Sequence, residues 1–184
     1  MLPPNPLLQL VPARVHAVLV RLRDRIWHPV GTVRIEAGPA RAEHRPWSAA
    51  RHEPVEPLEQ LPEHWGRLWD QRWFRLSLDR EPAQRDDLYL AWDDQAEATL
   101  YVDGLPHYGF DPAHRHAPLP RDVNELWIEA VACQTGIWLA GAAGLDAAGS
   151  HLTGARLLRR DDEAWGLYHD LLALDELMRL ALRR

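Results

Sequence analysis

Lysine is missing from this chain. All 21 basic residues are arginine, against 27 acidic ones, and the formal net charge is −6. Phosphate neutralisation needs a basic surface, so this balance disfavours nucleic acid as the main partner. Cysteine occurs once, as Cys133, which excludes an intrachain disulfide and a cysteine-based zinc site. Its place in an apolar run points to a buried, inert thiol. Serine occurs only as Ser48, Ser77 and Ser150, none in a Gly-x-Ser-x-Gly setting, which argues against a serine triad. Phosphate-loop and dinucleotide fingerprints are missing too. No apolar run reaches the ~18 residues of a membrane span. The opening Met1-Leu-Pro-Pro-Asn-Pro lacks a charged region followed by an apolar core. No secretory signal is therefore expected, and a cytoplasmic protein without membrane attachment is the default.

What is present is a chain of 184 residues, 46% hydrophobic, with nine tryptophans. That is room for one sizeable core plus flanking elements. Most of the tryptophans belong in such a core. Between residues 86 and 133 the side chains alternate with a period of two, the mark of strands with one face on a core. Leu88, Leu90 and Trp92 share one parity, as do Leu100 and Val102. Leu126, Ile128 and Ala130 oppose Trp127, Glu129 and Val131. Further strands are expected at Gly31–Ala37, Arg72–Arg80 and Leu152–Arg159. Asp103-Gly104 between apolar residues signals a tight hairpin, because a primed turn needs positive φ. Gly109 is expected to permit a second sharp bend, and Asp93-Asp94-Gln95 to form a turn.

Residues 1 to 8 are expected to be extended. A helix follows from Pro12 to Trp27 with Val15, Val18, Leu19, Leu22 and Ile26 inward. Residues 38 to 64 form a long Pro-, Arg- and His-rich loop that Trp47 and Trp65 could pin. Its His44, His52 and His64 read as solvated. Glu81–Arg85 reads as a polar turn, Ile137–Ala140 as a short apolar run and Gly141–Gly149 as a flexible stretch. Asp161-Asp162-Glu163 supplies the N-cap and first-turn acids of a closing helix. That helix carries Trp165, Tyr168, Leu171, Leu172 and Met178 on one face, and Leu174, Leu177 and Leu180 widen it. The expected fold is mainly β: an antiparallel sandwich over 29–160, between an N-terminal segment (1–28) and a C-terminal helix (161–184).

The run Leu100-Tyr-Val-Asp-Gly-Leu-Pro-His-Tyr-Gly-Phe-Asp-Pro-Ala-His-Arg resembles a segment of the galactose-binding-like jelly-roll domain that precedes the catalytic barrel in α-mannosidases of glycoside hydrolase family 38. Trp73-Phe74-Arg75 is similar to a strand of that domain. Asp162-Glu-Ala-Trp-Gly-Leu-Tyr-His-Asp resembles the helix that leads towards the barrel. The resemblance spans most of residues 10 to 184. It implies a non-catalytic, carbohydrate-binding-like accessory module, with α-mannosides or other glycans as the substrate class and a separate catalytic domain as partner. The family's catalytic domain uses a divalent metal such as zinc, held partly by a His-x-Asp pair. No His-x-Asp occurs here, so neither a metal site, nor a cofactor, nor a catalytic residue is expected in this chain.

The candidate sugar contacts are Tyr108, Asp111, His114, Arg115 and His116, with Gly104 and Gly109 as structural turns. A carboxylate, imidazoles and a guanidinium beside an aromatic ring suit a ligand with hydroxyl edges and apolar C–H faces. The competing reading is that Asp111 caps the loop and Arg115 pairs with it. The carboxylate pairs Asp86-Asp87, Asp93-Asp94 and Asp161-Asp162 fall at expected turns or a cap, which does not suit retaining hydrolysis. A different reading treats the terminal helices as the functional part, docking a protein partner or a second copy.

Overall fold

The computed structural model describes residues 6–79, 87–123, 125–133 and 149–182. The expected turn at Glu81–Arg85, the run Ile137–Ala140 with Trp138, and residues 141–148 lie outside these. The chain divides into two compact units, Pro29–Leu158 and the two termini, Met1–His28 with Arg159–Arg184.

The larger unit is an antiparallel β-structure. Its strands are β1 (Trp27–Ala37), β2 (Glu56–Pro57), β3 (Glu63–Trp65), β4 (Gln71–Asp79), β5 (Leu88–Asp94), β6 (Glu97–Val102), β7 (Leu105–Phe110), β8 (His116–Pro118), β9 (Glu125–Val131) and β10 (Ser150–Arg160). Their order is β7-β6-β9-β4-β1-β10-β5-β8, with β2 on β1 and β3 on β10. The first five of these strands form one layer and the last three the other. At the far edge His107 Nε2 lies 2.9 Å from the Pro118 carbonyl, tying β7 to β8 and nearly closing the sandwich.

Period-two alternation fills the space between the layers. Phe74, Leu76, Leu100, Leu126 and Ile128 face Leu88, Leu90, Trp92, Leu152 and Leu157, all fully or almost fully buried. Aromatic rings interlock there edge to face: Phe74 with Trp92 at 5.1 Å and with Trp65 at 5.7 Å. The expected mainly-β antiparallel sandwich with a helix at each end is therefore what the chain adopts.

Several local expectations need correction. The N-terminal helix α1 spans Pro6–Ile26, so Pro12 lies inside it and residues 6 to 8 are helical rather than extended. Pro6, not Pro12, takes the first-turn position where a missing N–H is harmless. Leu7, Leu8 and Leu10 are strong helix formers that carry the turn up to Pro12. Val18 is exposed, because the buried stripe runs Val15, Leu19, Leu22, Ile26. Strand β1 starts directly after α1, ahead of Gly31. The loop at 38–64 contains a short helix, α2 (Trp47–Ala50), as well as β2 and β3.

Asp93 and Asp94 end β5 and do not form the turn. Asp94 is buried and accepts hydrogen bonds from Trp65 Nε1 at 3.0 Å, from the Ala96 N–H at 3.1 Å and from Ser150 Oγ. Asp103-Gly104 does form the hairpin, with φ of 50° and 77° and Val102 paired to Leu105. Gly109, by contrast, makes no bend. It pairs with Thr99 inside β7 and has ordinary negative-side φ. The irregularity falls two residues earlier, where the register shifts between Leu100 and Tyr101 and leaves His107 as the extra residue.

The smaller unit is an antiparallel helical hairpin of α1 and α3 (Asp162–Leu182). Asp161 caps α3 through a hydrogen bond from the Ala164 N–H at 2.9 Å. Its own N–H donates to the Ile26 carbonyl at 2.8 Å, fixing the C-terminal end of α1 beside the start of α3. No helix among the described residues is long and apolar enough to cross a membrane.

Two stability predictions follow from these contacts. Removing the buried carboxylate by Asp94→Ala orphans Trp65 Nε1, and denaturant unfolding should show a loss of about 3 kcal/mol. A Cβ at Gly104 would sit 2.5 Å from the Trp47 ring at a left-handed φ. Gly104→Ala should therefore cost about 1–3 kcal/mol, whereas Gly109→Ala, which meets open space, should cost less than about 1.

Candidate functional site

The outward face of β7, β6, β9 and β4 carries the polar residues of the same alternation. Registers place Gly109, Thr99, Glu129 and Trp73 in one cross-strand row. Pro106, Tyr101, Trp127 and Arg75 form the next. One half of this face is covered. Trp47 and Ala50 of α2 and Val55 pack on Trp73, Trp127 and Tyr101 as a second apolar cluster. Trp73 Nε1 donates to the Arg45 carbonyl at 2.8 Å, and Gln71 exchanges hydrogen bonds with the Arg45 backbone at 2.6 and 3.1 Å. The 38–64 loop is thus strapped to the sheet, and Trp47 and Trp65 both pin it.

Glu129 stands at the edge of the covered half. Its carboxylate accepts from Tyr101 Oη at 2.8 Å and from Gln71 Nε2 at 2.5 Å, and meets His44 Nε2 at 3.0 Å. His44 therefore has a partner and is not a purely solvated loop residue. Burial, reinforced by the bond and charge of Glu129, pushes the Tyr101 phenol up to about 12.

Beyond Glu129 the face is open. A groove of about 600 Å³ is lined by Glu97, Thr99, Gly109, Asp111, Glu129 and Val131, with Cys133 at its end. Gly109 leaves the floor bare: a Cβ there would have nothing within 4 Å. Cys133 is buried, and burial with the charge of Glu97 raises its thiol pKa, so it lines the groove as an inert group. The Ala132 carbonyl, between two lining residues, accepts from the Trp69 N–H at 2.9 Å. Trp69 itself is 66% exposed and held at φ 73°, a costly conformation for a bulky residue.

The loop after β7 divides the sequence-predicted residues between two places. Asp111 borders the groove. Its Oδ1 accepts from the N–H groups of Ala113 and His114 at 2.7 and 2.8 Å, and His114 Nδ1 lies 2.9 Å from Oδ2. Burial opposes the charged form, but these bonds outweigh it and hold Asp111 below the usual carboxylate value. So Asp111 does cap the loop. Arg115 turns elsewhere: its Nη1 is 3.6 Å from Asp93, not paired to Asp111. Asp93 also holds Arg156 at 2.8 Å and lines a second groove of about 830 Å³ with Thr153, Glu36 and Leu61. His116 lies in β8 near Asp93, Arg156 and Arg115, and burial lowers its pKa. Tyr108 packs on the core beside Phe110 at 5.4 Å, and burial with the charge of Asp111 raises its phenol pKa.

The structure therefore keeps Gly109 and Asp111 together on the groove and sets Arg115 and His116 by Asp93. Thr99, Glu97 and Glu129 were missed from sequence. The alternation set Glu129 opposite Ile128, but only the strand order places it, with Thr99, in line with Gly109. Among the described residues no three His, Cys, Asp or Glu side chains converge to hold a metal ion.

The fold is an antiparallel, nearly closed two-layer sandwich of the jelly-roll kind. The family model for the jelly roll domain of α-mannosidase matches residues 29–143, and the chain belongs to that family. No curated protein matches the chain.

The Tyr101–Glu129 contact can be read by alkaline titration. Burial, with the bond and charge of Glu129, holds the folded phenol above its ordinary value of 10, so the stability tied to the neutral phenol is complete below pH 10 and is lost as pH rises through about 12. In Glu129→Gln the ultraviolet titration should show one tyrosine ionising at lower pH than in the parent. An unchanged curve would contradict the assigned contact.

Proposed function

We propose that this jelly roll is the accessory module of a family 38-like α-mannosidase, and that its outer-face groove takes a sugar ring. The observation that carries this reading is the bare floor at Gly109 between the acceptors Glu97, Asp111 and Glu129. Sugar hydroxyls donate to carboxylates, and a ring's C–H face needs flat clearance, which a glycine in a strand supplies. The volume lies within the ~300–1,000 Å³ typical of small-ligand sites. Trp69 adds an exposed indole joined through the backbone to the groove's end, and its strained φ is the kind of cost that persists where a side chain's placement matters. His114 stands beside Asp111 on the loop, while Tyr108 packs on the core behind it.

Catalysis falls to a separate catalytic domain that carries its own metal ligands. The groove's carboxylates suit binding better than proton transfer: Asp111 is held ionised and Glu129 is occupied by Tyr101 and Gln71. The module's task is to border the sugar site and present the glycan. A cytoplasmic setting suits its single free thiol.

Nitrogen-15 NMR titration with methyl α-mannoside tests this. Shifts should concentrate on Thr99, Gly109, Asp111 and Val131, with millimolar affinity on the order of 4 kcal/mol of binding energy. Gly109→Leu, which fills the groove at little cost in stability, should weaken binding at least about tenfold. Shifts that are absent, or that persist unchanged in Gly109→Leu, would contradict the groove as the sugar site.

A further inference from the structure

The helical hairpin presents a face that its own fold leaves uncovered. Buried and half-buried residues mark its internal seam: Val15, Leu19, Leu22 and Ile26 in α1, and Ala164, Tyr168, Leu171, Asp175 and Met178 in α3. The residues one step C-terminal of the seam, His16, Val20 and Arg23 with Leu172, Glu176 and Arg179, line one shared cavity and so lie on one side of the hairpin. The residues one step N-terminal of the seam must then share the opposite side. In α1 these are Val11, Arg14, Val18, Arg21 and Arg25. In α3 they are Glu163, Leu167, Asp170, Leu174 and Leu177. All are exposed, and Leu167, Leu174 and Leu177 are 50%, 59% and 63% so. Both rows advance by alternating threes and fours, the spacing of a helix-packing stripe.

The two rows are complementary in both polarity and charge. The C-terminal end of α1 lies beside the start of α3, so Arg21 and Arg25 share a level with Glu163 and Asp170. At the other end Val11 and Val18 share a level with Leu174 and Leu177. No ion pair among the described residues engages Arg14, Arg21, Arg25, Glu163 or Asp170.

We propose that this face binds a second copy of the chain to form a homodimeric four-helix bundle. A twofold axis parallel to the helices sets α1 of each copy antiparallel against α3 of the other, at unchanged level. Arg21 and Arg25 then meet Asp170 and Glu163, and Val18 meets Leu174. The interface is closed and self-complementary. Affinity comes from the Leu and Val side chains, while the charges fix orientation, because the alternative twofold, α1 on α1, would oppose arginine to arginine.

Sedimentation or light scattering of the full chain tests this, with circular dichroism as a check on folding. The parent should run at twice its 21.1 kDa, about 42 kDa. Arg21→Asp alone and Asp170→Arg alone each place like charges across the interface, and each should run as a monomer. An equimolar mixture of the two should return to the dimer mass, since every cross-copy pair is again opposite in sign. Leu174→Glu should also give a monomer. The proposal is overturned by a parent that stays monomeric at about 100 µM, by dimers that survive the single substitutions, or by a mixture that stays monomeric.

Discussion

A buried carboxylate ties together three strands of one layer of the sandwich. Asp94 ends β5, Trp65 lies on β3 and Ser150 opens β10, and the three meet away from solvent. Burial raises the Asp94 pKa, and the bonds from Ser150, Ala96 and Trp65 oppose that rise. A charge in this position is tolerable only while those donors stay in place. The arrangement therefore ties the short β3 and the long β10 to the end of β5. With β10 so placed, Leu152 and Leu157 complete the core, and the Trp65 ring packs on Phe74 across the layers.

The outer face of the larger layer divides into a covered half and an open half. Gln71, Trp73 and Glu129 bind the 38–64 loop across half of the outer face, and aromatic side chains fill the space beneath it. The strap stops at Glu129. From there to Gly109 the sheet lies open, with carboxylates at its margins. One residue thus serves both halves: Glu129 anchors Tyr101 and Gln71 on one side and borders the groove on the other.

Much of the architecture was legible because it rests on local chemistry. Alternation at Leu88, Leu90 and Trp92 and at Leu126, Ile128 and Ala130 gave the inward faces, and Asp103-Gly104 gave the hairpin. Asp161 announced α3 through its capping chemistry. The misses have physical reasons. Either Pro6 or Pro12 could open α1, and proline alone does not say which. Gly109 looked like a hinge, but it pairs with Thr99 inside β7, and no positive φ calls for a glycine there. Asp94 looked like a turn former because its partners Trp65 and Ser150 lie far away in sequence. The stretch Tyr108–His116 reads in sequence as one cluster. Its division between the groove and Asp93 depends on how β7 and β8 diverge, which no local pattern encodes.

The most direct test of the sugar-site account is a crystal structure of the chain grown in a high concentration of methyl α-mannoside. The account predicts a ring lying over Gly109 with hydroxyls on Thr99, Asp111 and Glu129. A ring bound instead in the groove beside Asp93 and Thr153, or an empty outer face at saturating sugar, would contradict it.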